Sequence, residues 1–128
     1  MILGSIYIDQ SEGRGNGVFT SEDIAADTIV ELSPVIVMTE KERKLLDQTL
    51  LHDYIFEWTP KGMVMCCMAQ GYISVYNHSY ESNCEYFMNY DDNTIMIRSV
   101  RHIEPGEELT INYNGDWNDD KTVWFETI

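Results

Sequence analysis

Apolar positions along the chain fall in short runs broken by polar turns, a pattern of strands and not of long helices. Met1-Ile2-Leu3-Gly4-Ser5-Ile6-Tyr7-Ile8 is apolar and β-rich and gives way to Asp9-Gln10-Ser11-Glu12 and a glycine cluster, so a strand followed by a loop is expected. Val18-Phe19, Thr28-Ile29-Val30-Glu31-Leu32 and Val35-Ile36-Val37-Met38 read as further short strands, with Pro34 interrupting the last two. Thr39-Glu40-Lys41-Glu42 has the form of a capping box ahead of Lys44-Leu45-Leu46 and Leu50-Leu51, which predicts one helix over about residues 40–52. It is the one strong helix signal.

Beyond it, Tyr54-Ile55-Phe56-Glu57-Trp58 and Met63-Val64-Met65-Cys66-Cys67-Met68 flank Pro60-Lys61-Gly62 in a hairpin-like arrangement. Residues 84–90 alternate, placing Cys84, Tyr86, Met88 and Tyr90 on one face, and Asp91-Asp92-Asn93 supplies a turn into Thr94-Ile95-Met96-Ile97-Arg98. Glu104-Pro105-Gly106-Glu107 makes another turn before Leu109-Thr110-Ile111-Asn112-Tyr113. The pattern is that of a mostly β domain of several small sheets with one short helix, spanning residues 1–128 without repeat or linker.

Composition narrows the ligands. With 44% hydrophobic residues the chain can bury a core. Eight Lys and Arg against 22 Asp and Glu give a formal charge of -14, which repels phosphate backbones and favours a basic partner or simply a well-solvated surface. Direct nucleic-acid binding is therefore not expected. Cys66, Cys67 and Cys84 are too few for a disulfide scaffold, and His52, His78 and His102 are scattered, so reduced thiols and no bound metal are expected. No segment approaches the roughly 18 apolar residues of a membrane span, and no secretory signal opens the chain. A soluble intracellular protein of cytoplasm or nucleus is the expectation.

Three motifs could carry chemistry. Gly13-Arg14-Gly15-Asn16-Gly17 follows a strand, but its spacing is wrong for G-x-G-x-x-G and a strand comes next, so it reads as a turn or a ligand loop and not as a dinucleotide site. Asn77-His78-Ser79 with Asn83 gathers donors and acceptors behind the apolar run Tyr72–Tyr76; alone it is either a hydrogen-bonded turn or a site. Ser79 lacks the flanks of a nucleophile elbow, which argues against a serine hydrolase. Glu107-Glu108-Leu109-Thr110-Ile111-Asn112-Tyr113 is a strand ending in a tyrosine.

Taken in this order, with Gly15-Asn16-Gly17-Val18-Phe19, Ile29-Val30-Glu31, Asp53-Tyr54-Ile55-Phe56, Tyr76-Asn77-His78-Ser79 and Gly106–Tyr113, the sequence resembles the SET-domain protein lysine methyltransferases from about Ile6 to Trp117. Its brevity is similar to that of the minimal stand-alone members, such as those of large DNA viruses, for which the host nucleus would be the setting. Two departures stand out: Ser82 precedes Asn83 where the family usually has proline, and no cysteine-rich C-terminal segment is present.

The resemblance implies a β-clip-like SET fold with a C-terminal pseudoknot, and transfer of a methyl group from S-adenosylmethionine to a lysine ε-amine of a basic, histone-like protein. By position, Tyr113 would be the catalytic tyrosine. Arg14, Gly15 and Asn16, largely through backbone, and Asn77, His78 and Trp117 would hold the cofactor; Tyr54, Tyr76 and Trp117 would wall the lysine channel. Trp117, Trp124 and Phe125 are candidates to close the pocket, or else a strand packed on the core. Glu107, Glu108, Asp116, Asp119 and Asp120 would ring the groove or only solvate the surface. A homodimer could complete the groove. The alternative is an inactive SET fold that binds basic tails through its acidic surface.

Overall fold

A computed structural model describes residues 1–113 of the chain. Trp117, Trp124, Phe125, Asp116, Asp119 and Asp120 lie outside the described residues.

The glycine cluster closes a hairpin. Strand β1 (Ile6–Ser11) pairs antiparallel with β2 (Gly15–Thr20), and Gly13 and Gly15 take positive φ of 73° and 75° in the connecting turn. The ten-residue strand β3 (Ile29–Met38) joins the two apolar runs that were expected as separate strands. Pro34 does not break it because the strand changes partners there: residues 29–34 pair with strand β8 (Thr94–Ser99), and residues 35–38 with β5 (Met65–Ala69). A residue without an N–H is tolerated at that change-over, and its carbonyl still accepts from Gln70.

Helix α1 runs only from Glu40 to Leu46, shorter than the expected 40–52. Its start follows the sequence, since Thr39 and Glu42 form both halves of the capping box. Its end follows from Thr49, whose hydroxyl donates to the Leu46 carbonyl and accepts from the Leu51 N–H, starting a separate 3-10 turn at Leu50–Asp53. Neither segment has a buried residue, so no packing energy favours one continuous helix.

Strand β4 (Phe56–Trp58) then pairs antiparallel with β5, the hairpin expected around Pro60-Lys61-Gly62. The apolar run at 72–76 holds a 3-10 turn, Ile73–Val75, and leads into the two-residue strand β6 (Asn77–His78). Strand β7 (Cys84–Asn89) and β8 form a hairpin across Asp91-Asp92-Asn93, with Asn93 at a φ of 54°. Alternation in β8 buries Ile95, Ile97 and Ser99. Strand β9 (Glu108–Ile111) is the last described element.

Among the described residues the strands form two sheets, ordered β1-β2-β9-β6 and β4-β5-β3-β8-β7. Val18, Leu109 and Ile111 of the first meet Val30, Trp58, Ile95 and Ile97 of the second in one core, to which Ile24, Ile73 and Ile103 also belong. The three cysteines are buried and unpaired with one another, and burial pushes the thiols of Cys67 and Cys84 up to about 12, so neither is a reactive thiolate. Among the described residues, no helix is long and apolar enough to cross a membrane.

Candidate active site

The residues singled out at the middle and end of the chain meet at the β6–β9 pair. These strands run parallel, with Asn77 opposite Thr110 and His78 opposite Ile111. A two-residue strand is too short to hold itself, and side chains supply the remainder. Asn83 acts as a clamp: its Nδ2 donates to the Glu108 carbonyl across 2.8 Å, and its Oδ1 accepts from the Thr110 N–H across 2.8 Å. The Ser79 N–H donates to the Ile111 carbonyl, and Asn112 donates to the Tyr80 carbonyl. Ser82, where the resemblance would place a proline, leaves this clamp in place, with its hydroxyl donating to the Cys84 carbonyl.

Tyr113 is fixed from both ends. Its backbone N–H donates to Nδ1 of His78 across 3.0 Å, which places the proton of a neutral imidazole on Nε2. Its hydroxyl donates to the Tyr76 carbonyl across 2.7 Å. The ring lies 5.2 Å from that of His78, and His78 also meets the edge of Tyr80. Burial pushes the phenol up to about 12; the Arg14 cation opposes that, while Glu108, Tyr54 and Tyr86 reinforce it. Tyr113 is therefore a neutral hydroxyl throughout the physiological range.

The glycine hairpin docks beside this pair. Arg14 reaches over with its side chain, Nη1 donating to the His78 carbonyl across 3.1 Å, and Asn16 offers its carbonyl to Nδ2 of Asn77. The same Nδ2 donates to Glu108 across 2.7 Å, and the other Glu108 oxygen accepts from Ser11. With both amide protons committed, the Asn77 side chain presents its oxygen as an acceptor to any ligand. Gly17 makes this possible, because a Cβ there would run into the Glu108 carboxylate and crowd Asn77.

Most of the expected site residues therefore converge: Arg14, Gly15, Asn16, Asn77, His78 and Tyr113 lie around one β6–β9 junction. Tyr54 is nearly half exposed and near enough to influence the Tyr113 phenol. Tyr76 departs from the expectation that it walls a channel. Its side chain is buried in the core, its hydroxyl donating to Glu31, and only its backbone carbonyl faces Tyr113. Glu107 and Glu108 are engaged as well: Arg101 and the Glu104 N–H hold the first, and Ser11 and Asn77 the second. Trp117 lies outside the described residues.

Two residues of the junction were not singled out for it by sequence. Tyr86 donates to the Tyr113 carbonyl across 3.3 Å and stacks at a tilt on Phe56; its place on the alternating face of 84–90 was the available signal. Glu108 was expected at the rim of the groove or as a solvated carboxylate, and its place against Gly17 joins positions far apart in the chain.

The chain matches the SET domain family over residues 15–114. A histone-lysine N-methyltransferase of Schizosaccharomyces pombe described as H3 lysine-37 specific is 32% identical over 127 residues, covering 98% of this chain and 80% of that protein. Histone-lysine N-methyltransferase 2D of Homo sapiens is 27% identical over 123 residues, 91% of this chain but only 2% of that much longer protein. Among solved structures, a candidate histone methyltransferase of Plasmodium falciparum is similar at a TM-score of 0.67 and 28% identity, covering 88% of this chain and 99% of its own.

Proposed function

Because the chain belongs to the SET domain family, we propose that it transfers a methyl group from S-adenosylmethionine to the ε-amine of a lysine in a basic, histone-like protein. The observation that carries this reading is the junction itself, where Asn77, His78 and the neutral Tyr113 hydroxyl are locked together by hydrogen bonds among three separate stretches of chain.

The donor set suits a cationic cofactor. Asn77 presents an amide oxygen, and the carboxylate of Glu108 lies behind it, an arrangement that favours an ammonium group over an anion. Arg14, Gly15, Asn16, Asn77 and His78 would hold the cofactor. When bound, it supplies an electrophilic methyl group on a sulfonium, and displacement there needs no covalent enzyme intermediate.

What the chain contributes is orientation. A phenol that donates its one proton to the Tyr76 carbonyl can engage an approaching amine only as an acceptor, so Tyr113 aims the N–H bonds and with them the lone pair. It cannot serve as a base, because its proton is held to about 12. The lysine must therefore arrive neutral, against a reference pKa of about 10.4. Tyr54, Tyr86 and Tyr113 gather aromatic surface around the junction, and such surroundings disfavour the ammonium form.

The overall charge of -14 supports a basic substrate, since a field of that sign draws lysine-rich segments. Calorimetric titration with S-adenosylmethionine, followed by incubation with methyl-labelled cofactor and mixed basic proteins, tests the proposal. Binding together with label on lysine is expected. Binding without transfer would leave an acidic module for basic tails as the better account.

A further inference from the structure

Glu31 takes no part in the chemistry above, yet its side chain is entirely buried. A bulge aims it inward: the register of β3 against β8 shifts between Ile29 and Glu31, so Val30 and Glu31 are both buried while Leu32 turns outward. Burying a carboxylate is costly unless donors surround it. Glu31 has three. Its Oε2 accepts from the Ser33 hydroxyl across 2.7 Å and from the Tyr72 N–H across 2.9 Å, and its Oε1 accepts from the Tyr76 hydroxyl across 3.2 Å. Burial still outweighs these donors and holds the carboxyl above the usual carboxylate range. Gly71 makes the room, since at its φ of 65° a Cβ would run into both Glu31 and Ser33.

Two of those donors bracket one short turn. Tyr72 stands at the start and Tyr76 at the end of the 3-10 turn Ile73–Val75, and the Tyr76 carbonyl is the acceptor of the Tyr113 hydroxyl. The carboxylate therefore grips both ends of the segment that aims the phenol.

We propose that Glu31 is a positioning residue, which fixes the Tyr76 carbonyl by clamping the 72–76 turn and through it sets the direction of the Tyr113 hydroxyl. The inference rests on Tyr113 orienting the amine in methyl transfer. An apolar side chain of similar size would fill the same space without the desolvation cost, so the carboxylate adds direction and not bulk. In an in-line displacement, direction is what governs rate, and small misplacements cost far more turnover than binding.

The test compares Glu31→Leu, which fills the space but accepts nothing, with Glu31→Gln, which retains an acceptor for the Tyr72 N–H. Tyr76→Phe removes one arm of the clamp and serves if Glu31→Leu does not fold. Thr20→Val, at the far end of β2, is the structural control, losing part-buried hydrogen bonds to Ser5 and Glu22. For Glu31→Leu, kcat is expected to fall about tenfold or more with cofactor affinity and substrate KM within about threefold, and Glu31→Gln should recover most of the loss. The tyrosine Cζ resonance of Tyr113, identified by its loss in Tyr113→Phe, should shift in Glu31→Leu and Tyr76→Phe and stay in place in Thr20→Val. An unmoved resonance and unchanged kcat in folded Glu31→Leu or Tyr76→Phe would overturn the clamp. If the wild-type protein transfers no methyl group, the functional reading fails by itself, and the resonance still decides whether the clamp exists.

Discussion

The hydroxyl of Tyr113 donates to the backbone carbonyl of Tyr76 across 2.7 Å, joining two residues 37 positions apart. This bond makes the phenol directional: its proton is spent on the protein, and what remains is an acceptor. The same carbonyl ends the turn that leads into Asn77-His78, so one short segment serves both the proposed cofactor contacts and the tyrosine.

Removing the hydroxyl should separate binding from turnover. Tyr113→Phe keeps the ring against His78 but loses the bond to Tyr76. Turnover is expected to fall by about a hundredfold or more, a loss on the scale of a misdirected reacting group, while the dissociation constant for S-adenosylmethionine stays within about threefold. Single-turnover kinetics and calorimetry on the same preparation check it. Unchanged turnover would remove Tyr113 from its assigned role.

Gly17→Ala should weaken the cofactor side instead. The added methyl would displace the Glu108 carboxylate and with it the Asn77 amide. Overpacking of this kind costs about 1–3 kcal/mol of stability, read from urea unfolding. Cofactor affinity is expected to fall about tenfold as Asn77 loses its fixed orientation. An alanine variant of wild-type stability and affinity would show that Glu108 does not set Asn77.

Much of this arrangement was legible in the sequence and part of it was not. The alternation of β7, which turns Cys84, Tyr86 and Met88 toward the core, and the capping box at Thr39 are local signals, and both appear as read. Asn77, His78 and Tyr113 were recognisable as a set by their order along the chain. The helix end was not, because Thr49 decides it through two hydrogen bonds to nearby backbone and no buried face supports a longer helix. Tyr76 was misdirected for a different reason: its side chain follows the carboxylate of Glu31, which a bulge in a distant strand turns inward. Nothing within a few residues of Tyr76 announces that partner. Pro34 read as a break for the same reason, since only the tertiary change of strand partners makes it harmless.

The pH dependence follows from the tyrosine. Its phenol is raised to about 12 from an ordinary value of 10.0, so the protonated form is favoured by the fold. The stability it contributes is fully present below about 10 and is lost only as pH climbs through about 12. The rate should therefore rise from pH 7 to pH 10 as more of the substrate lysine becomes neutral, with no falling limb from Tyr113 in that range. A decline between pH 8 and pH 10, with circular dichroism unchanged, would contradict the neutral-phenol role.

Salt should act on encounter and not on chemistry. Raising ionic strength from 0.1 M to 1 M shrinks the screening length from about 10 Å to about 3 Å. For a protein of charge -14 and a lysine-rich peptide, kcat/KM is expected to fall several-fold while kcat stays level. A salt-insensitive kcat/KM would assign the acidic residues to solvation alone.

The central claim is tested most directly by following labelled methyl from S-adenosylmethionine into a histone-like protein and locating it by tandem mass spectrometry, with wild-type protein and Tyr113→Phe side by side. Label is expected on a lysine ε-nitrogen with the wild type and little or none with the variant. No label on any lysine from a folded, cofactor-binding wild-type protein, or equal label from both proteins, would contradict it.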